Sequence, residues 1–294
     1  MFHNTYDRLQ GSWWGGIGAQ QSLGLSVGDR ELSDLYRQPW LVKRQKLATL
    51  LLQQEFEPPT DFSLDSRELL AYLPAIVFST ASAPSLTSIL PLVPTSSTAE
   101  IAIEQQILTW ANLLTGVLNH RSTSSAQDRL TKLAILTPPT ANSLLAEQLK
   151  LVSELAARGA SLNLVEEQLS AATASRAIAI SLAWYCFITT PHDFNLSIRK
   201  AAQSSPNLAS LTVALTGTLS GAYNGMAEIS RYWRTDRYNS QSQTEQHLFH
   251  QLFALWSGVY ATQTHFHGFN PHLNMVALPE TIQPRFRVNV TPLD

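Results

Sequence analysis

Residues Ser205–Gly225 read SPNLASLTVALTGTLSGAYNG. Gly217, Gly221 and Gly225 recur at every fourth position, with Ala, Ser and Thr prominent between them. That spacing sets the three glycines near one face of a helix. Each costs about 1 kcal/mol relative to Ala in a helix interior. A helix that accepts this cost repeatedly needs its backbone close to something, either another helix or a ligand. The stretch is therefore expected to be a small-residue helix with a close neighbour.

Helical periodicity continues outward from it. Upstream, Asp193–Gln203 reads as a short helix with Asp193 as N-cap. Ala174–Thr189 is apolar nearly all round, as a central buried helix would be, and Thr189-Thr190-Pro191 ends it. Leu162–Ala172 is short and amphipathic. Asn142–Ala157 carries Leu145, Leu149, Val152 and Leu155 on one stripe; Asn142 is its candidate N-cap, and Arg158-Gly159 its stop. Ile101–Leu118 places Ile103, Ile107, Trp110, Leu114 and Val117 together. Downstream, Glu245–Thr262 aligns Leu248, Leu252, Leu255 and Val259. Few segments alternate with period two, and the short Phe286–Val290 is the best strand candidate. The intervening loops are rich in Pro, Ser and Thr, and none marks a second domain. The expected fold is one all-α domain over 1–294, a compact orthogonal helical bundle with a less regular tail from about 264.

Composition agrees. Of 294 residues, 44% are hydrophobic and only 14% charged, so an extensive core is expected rather than disorder. A net charge of −2 supplies no field that recruits nucleic acid. The single cysteine, Cys186, lies in an apolar run and excludes an intrachain disulfide and a Cys-rich zinc site. The opening MFHNTYDRLQ lacks the order of a signal peptide. Ala177–Ile188 is too short to span a bilayer, which takes about 20 residues. A soluble, cytoplasmic protein with no membrane span is expected.

Two segments together resemble the ADP-ribosylglycohydrolase family of all-helical hydrolases. In Asp7–Gly24, DRLQGSWWGGIGAQQSLG, residues Asp7, Arg8, Gly11 and Gly15 match the family's opening helix, D-R-x-x-G-x-x-x-G-x-x-x-G-D-A-x-G. The Gly-Asp pair of that pattern falls on Ala19 and Gln20. In the second segment, Gly217, Gly221, Ala222 and Gly225 match the small-residue helix that follows G-G-D-x-D-[ST] in active members. There the two aspartates fall on Leu208 and Ser210, and the Gly-Gly on Pro206-Asn207. The lead-in Phe194–Ala201 is also similar to the family's. A third acidic run, T-D-D-T-like, has no counterpart: Asp61 and Asp65 are four apart, and Thr95-Ser96-Ser97-Thr98 has serines where the aspartates would be.

The resemblance implies hydrolysis of a glycosidic bond to ADP-ribose with Mg²⁺ or Mn²⁺. Such hard cations require oxygen ligands, and a pair about 3.5–4 Å apart requires several carboxylates. Leu208 cannot ligate, Ser210 is a weak neutral ligand, and Gln20 replaces an acid. The expectation is a degenerate, non-hydrolytic member without a metal cofactor. It would act as a binding or regulatory protein on a partner protein or an ADP-ribose-like ligand. By correspondence with the acidic positions, the candidate ligand-binding residues are Gln20, Gln21, Asn207 and Ser210. An active hydrolase with atypical ligands and a structural subunit are the alternatives. Convergence of Asp61, Asp65, Gln20 and Ser210 would favour the hydrolase. A cleft plugged by Trp13, Trp14 and Leu208 would favour the others.

His247 and His250 are three apart on a helix, and His265, His267 and His272 follow. They read as partly exposed helix and tail histidines among core aromatics, with a histidine-only metal site as the alternative. Arg231–Tyr238 (RYWRTDRY) mixes cations and rings suited to stacking or to a protein interface, against a plainer reading as solvated arginines over packed rings. Arg37–Lys46 (RQPWLVKRQK) reads as a solvated basic helix face.

Overall fold

Ala177–Ile188, the longest apolar run, is buried at every residue. It forms most of a helix around which the others assemble. The computed structural model describes residues 5–26, 39–53, 70–71, 73–74, 98–119, 144–170, 175–229 and 240–256. These contain nine principal helices and no strand: α1 (Thr5–Ser26), α2 (Pro39–Gln53), α3 (Thr98–Asn119), α4 (Leu144–Ala157), α5 (Leu162–Ser170), α6 (Ser175–Thr189), α7 (Phe194–Ala201), α8 (Pro206–Asn224) and α9 (Ser240–Trp256). The all-α expectation holds. Helix α8 is the hub, with α1, α3, α6 and α7 packed on it. Helices α4 and α5 back α6, and α2 pairs with α9. No helix among the described residues is long and apolar enough to cross a membrane.

Helix limits follow local chemistry. Gly159 adopts φ 68°, its N–H binds the Ala156 carbonyl at 3.0 Å, and the Ala160 N–H binds the Leu155 carbonyl at 3.0 Å. This is the Schellman stop expected from Arg158-Gly159. Asp193 caps α7 through its side chain, which accepts from the Leu196 N–H at 2.8 Å. Asn142, Phe286–Val290, Asp61, Asp65, Arg231–Tyr238, and His265, His267 and His272 lie outside the described residues.

The glycines of α8 meet the glycines of α1. A Cβ on Gly217 would lie 2.5 Å from the Ala19 Cβ and 2.9 Å from the Gly15 carbonyl carbon. One on Gly221 would lie 2.6 Å from the Gly11 carbonyl carbon. The same holds in reverse: a Cβ on Gly15 would come within 2.8 Å of the Gly217 carbonyl carbon, and one on Gly11 within 2.7 Å of that of Gly225. The two helices therefore run antiparallel with backbones in contact. Each glycine of α8 turns a Cα hydrogen toward a carbonyl of α1, a contact worth ~0.5–1 kcal/mol. Of the two neighbours the spacing allowed, another helix or a ligand, the structure shows the helix.

Asp7 and Arg8 fasten the same pair at its other end. The Met226 N–H, just past α8, donates to the Asp7 carbonyl at 3.1 Å and to its carboxylate at 3.2 Å. Arg8 donates through Nε to the Ala222 carbonyl at 2.8 Å and through Nη2 to the Val117 carbonyl. One guanidinium thus serves carbonyls in the last turns of both α3 and α8, where helix dipoles present partial negative charge. Burial lowers the Arg8 pKa, and Tyr223 partly opposes this; arginine remains charged regardless.

Helices α2 and α9 join α1 through a buried ion pair. Glu245 is fully buried and pairs with Arg44, which is 1% exposed. The carboxylate also accepts from Trp13 Nε1 at 2.9 Å and from Gln45 Nε2 at 2.8 Å. Arg44 Nη1 donates to the Trp13 carbonyl at 3.1 Å, and the guanidinium lies 4.4 Å from the indole centroid. The expectation of a solvated basic face over Arg37–Lys46 is therefore corrected at Arg44, although Val42 and Lys46 are exposed. The sequence offers no local sign that one cation of this run has a carboxylate partner two hundred residues away.

Candidate functional site at the start of the glycine helix

Leu208 and Ser210 lie in the first turns of α8. Ser205 is the N-cap by position, but its side chain makes no capping bond. Pro206 occupies the first turn, where its missing N–H costs nothing. The Ser205 carbonyl accepts from the Leu208 and Ala209 N–H groups, both at 2.9 Å. The backbone N–H of Ser205 points at Glu166 of α5, with both carboxylate oxygens at 3.2 Å. Glu166 supplies from another helix the contact that a capping-box glutamate makes within its own. Its negative charge faces the positive end of the α8 dipole.

The four candidate residues divide into different settings. Asn207 and Ser210 are exposed. Gln20 is 8% exposed. Gln21 lies in α1. The antiparallel register brings part of the set to one level. A Cβ on Gly16 would meet Thr218 Oγ1 at 2.8 Å and the Ala214 carbonyl oxygen at 3.3 Å. One turn further along α1 and one turn back along α8, the same register carries Gln20 to Ala214 and Ser210. Asn207 lies a further turn toward the start of α8. Leu208 is half-buried and packs on the core, on the opposite side of α8 from the glycine face. Trp13 and Trp14 are themselves core side chains.

This donor set does not fit a pair of divalent cations. Gln20 and Ser210 offer neutral oxygens, Leu208 offers none, and Glu166 is engaged by a backbone N–H. Among the described residues no group of three or more His, Cys, Asp or Glu side chains is placed to hold a metal. The late histidines within reach make other contacts. His250 Nε2 is 2.9 Å from the Tyr6 hydroxyl, and exposed His247 is 2.8 Å from Gln251 Nε2. His250 also packs among Tyr6 and Phe249, which is the aromatic setting expected for it.

A second polar cluster lies where α6 meets α7. Lys200 Nζ donates to Thr189 Oγ1 at 2.8 Å and sits 4.1 Å from the Tyr185 ring centroid. Burial lowers the Lys200 pKa, and burial pushes the Cys186 thiol up to about 12. A thiol held protonated at neutral pH is not a nucleophile, so the free, buried Cys186 is inert. The Thr189 hydroxyl faces the Tyr185 and Cys186 carbonyls at 2.8 and 3.2 Å, so its proton is used within its own helix.

Glu166 is the site residue that sequence reasoning missed. Its helix was legible from its apolar spacing, but nothing in the sequence ties its carboxylate to Ser205, 39 residues on. No family model, curated protein or solved structure matches the chain.

Proposed function

We propose that this chain is a non-hydrolytic relative of the ADP-ribosylglycohydrolases that works as a binding or regulatory protein. The observation that carries the reading is the chemistry at the start of α8. The positions corresponding to the paired aspartates hold half-buried Leu208 and exposed Ser210. The carboxylate that does reach this end, Glu166, caps a backbone N–H. A helix start already facing a carboxylate is a poor seat for a second anion. This supports a partner protein, rather than a phosphate-bearing ADP-ribose-like ligand, as what the exposed Asn207 and Ser210 meet.

The test has two arms. The purified chain is incubated with ADP-ribosyl-arginine and Mg²⁺ or Mn²⁺, and free ADP-ribose is measured by mass spectrometry. No metal-dependent release is expected, and release above a metal-free control overturns the non-hydrolytic reading. Affinity capture from the native cell then compares the parent with Ser210→Arg. A partner lost with the variant supports this exposed pair as a binding surface, and an identical set of captured proteins refutes it.

A further inference from the structure

Lys200, near the end of α7, reaches back to the last turn of α6. An ammonium carries three N–H donors. Here one goes to Thr189 Oγ1 at 2.8 Å, and the face of the Tyr185 ring lies 4.1 Å away. Among the described residues no second hydrogen-bond acceptor and no carboxylate pairs with the nitrogen. Lys200 is half-buried, so water makes up only part of what the ammonium lacks.

Both hydroxyls at this corner are committed. The Thr189 proton faces the Tyr185 and Cys186 carbonyls of its own helix, so toward Lys200 its oxygen only accepts. The Tyr185 hydroxyl donates to the Ala160 carbonyl, which holds the ring in place from its far end. The neighbouring Cys186 thiol stays protonated and is no rival nucleophile. An ammonium short of partners releases its proton more readily, in line with the lowered pKa of Lys200. The free amine is then a nucleophile toward carbonyl carbon. A protonated imine has a single N–H and a delocalised positive charge. One acceptor and one ring face suit that group better than they suit an ammonium.

We propose that Lys200 is a covalent site for a small aldehyde, held as a protonated imine with its N–H on Thr189 Oγ1 and its charge over the Tyr185 ring. The amine nitrogen adds to the aldehyde carbon. The carbonyl oxygen takes one proton from the amine and one from solvent and leaves as water, and nothing is oxidised or reduced. The half-buried nitrogen favours a short aliphatic aldehyde over a bulky one. The inference rests on the α6–α7 corner and not on the family reading.

Trapping of the imine in the full native chain tests it. The protein is equilibrated with acetaldehyde at neutral pH and pulsed with borohydride, which reduces each imine to a stable ethylamine. Peptide mass spectrometry then gives the ethyl occupancy at each lysine. Lys150, exposed on α4, is the reference. Occupancy at Lys200 is expected to be at least about threefold that at Lys150 in the folded chain, and equal to it in guanidinium chloride. A ratio below threefold in the folded chain overturns the proposal; a half-buried lysine that only completes the end of α6 would be shielded and give a ratio below one. An excess that persists in denaturant also overturns it, because local sequence and not the folded corner would then be its cause.

Discussion

Replacing Gly217 by alanine sets two effects of opposite sign against each other. On helix propensity alone, Gly→Ala inside a helix stabilises by about 1 kcal/mol. The interface opposes this. The new methyl would stand 2.5 Å from the Ala19 Cβ and 2.9 Å from the Gly15 carbonyl carbon, against an ordinary carbon separation of about 3.5–4.0 Å. One obstacle is backbone and the other a Cβ, so neither can rotate away. The helices must part by about 1 Å. A gap of that size forfeits roughly a quarter to a half of each dispersion contact along the seam, and overpacking of this kind costs about 1–3 kcal/mol. The Cα–H···O contacts at Gly217 and Gly221 weaken as well, at roughly 0.5–1 kcal/mol each. The expected net result is a loss of about 2 kcal/mol, or some 4–8 °C in Tm for a chain of this order of size. Urea and thermal unfolding followed by circular dichroism at 222 nm would measure it. Gly15→Ala should behave alike, and the double variant should fall short of the sum by at least about 0.5 kcal/mol, because one separation accommodates both methyls. A Gly217→Ala protein as stable as the parent, or more so, would refute the reasoning.

Other perturbations follow from single contacts. Arg8→Met keeps much of the aliphatic stem but deprives the Ala222 and Val117 carbonyls of their donor; a loss of about 2–3 kcal/mol is expected by urea titration. Thr212→Val should stabilise by about 1 kcal/mol, since the Thr212 hydroxyl is fully buried and has no hydrogen-bond partner among the described residues; a lower Tm would show that the hydroxyl has a partner. Cys186 should resist a thiol reagent at pH 8 in the folded chain and react fully in denaturant. Because its thiol ionises at about 12 when folded against an ordinary 9.0, the unfolded chain sheds this proton first. The stabilising contribution is complete below pH 9 and is lost as pH rises from 9 toward 12. Lys200, whose pKa is lowered by burial, acts in the opposite direction just below its ordinary value, whereas Tyr185, whose pKa is raised by burial, acts in the same direction as Cys186, so Cys186→Ala should flatten the alkaline decline rather than abolish it.

Sequence reasoning reached the helices and fell short at long-range polar pairing. Periodicity located α4, α6 and α8 to within about three residues of their limits, because buried stripes and small-residue spacing are written in neighbouring positions. Asp193 and Gly159 were legible as cap and stop for the same local reason. The glycine spacing required a close neighbour but could not choose between a helix and a ligand; the complementary Gly11 and Gly15 answer it only in three dimensions. Asp7 and Arg8 could be read as a motif, while their task, holding the ends of α3 and α8, depended on the fold. Arg44 looked like its solvated neighbours because charge type carries no record of burial. Its partner Glu245 and the cap Glu166 are equally silent, since a carboxylate's target may lie anywhere along the chain.

The seam between α1 and α8 also orders events during synthesis. Arg8 and the carbonyl it binds at Ala222 are 214 residues apart. At about 5–20 residues per second, α1 leaves the ribosome roughly 10–40 s before the helix that completes it. Through that interval its glycine face has no complement, and Tyr6, Leu9, Trp13 and Ile17, all buried in the finished protein, have no core to enter. Closing so distant a contact is slow as well as late. Over the synthesis of those 214 residues the nascent chain thus carries α1 without its partner helix, an uncovered apolar surface of the kind that chaperones shield.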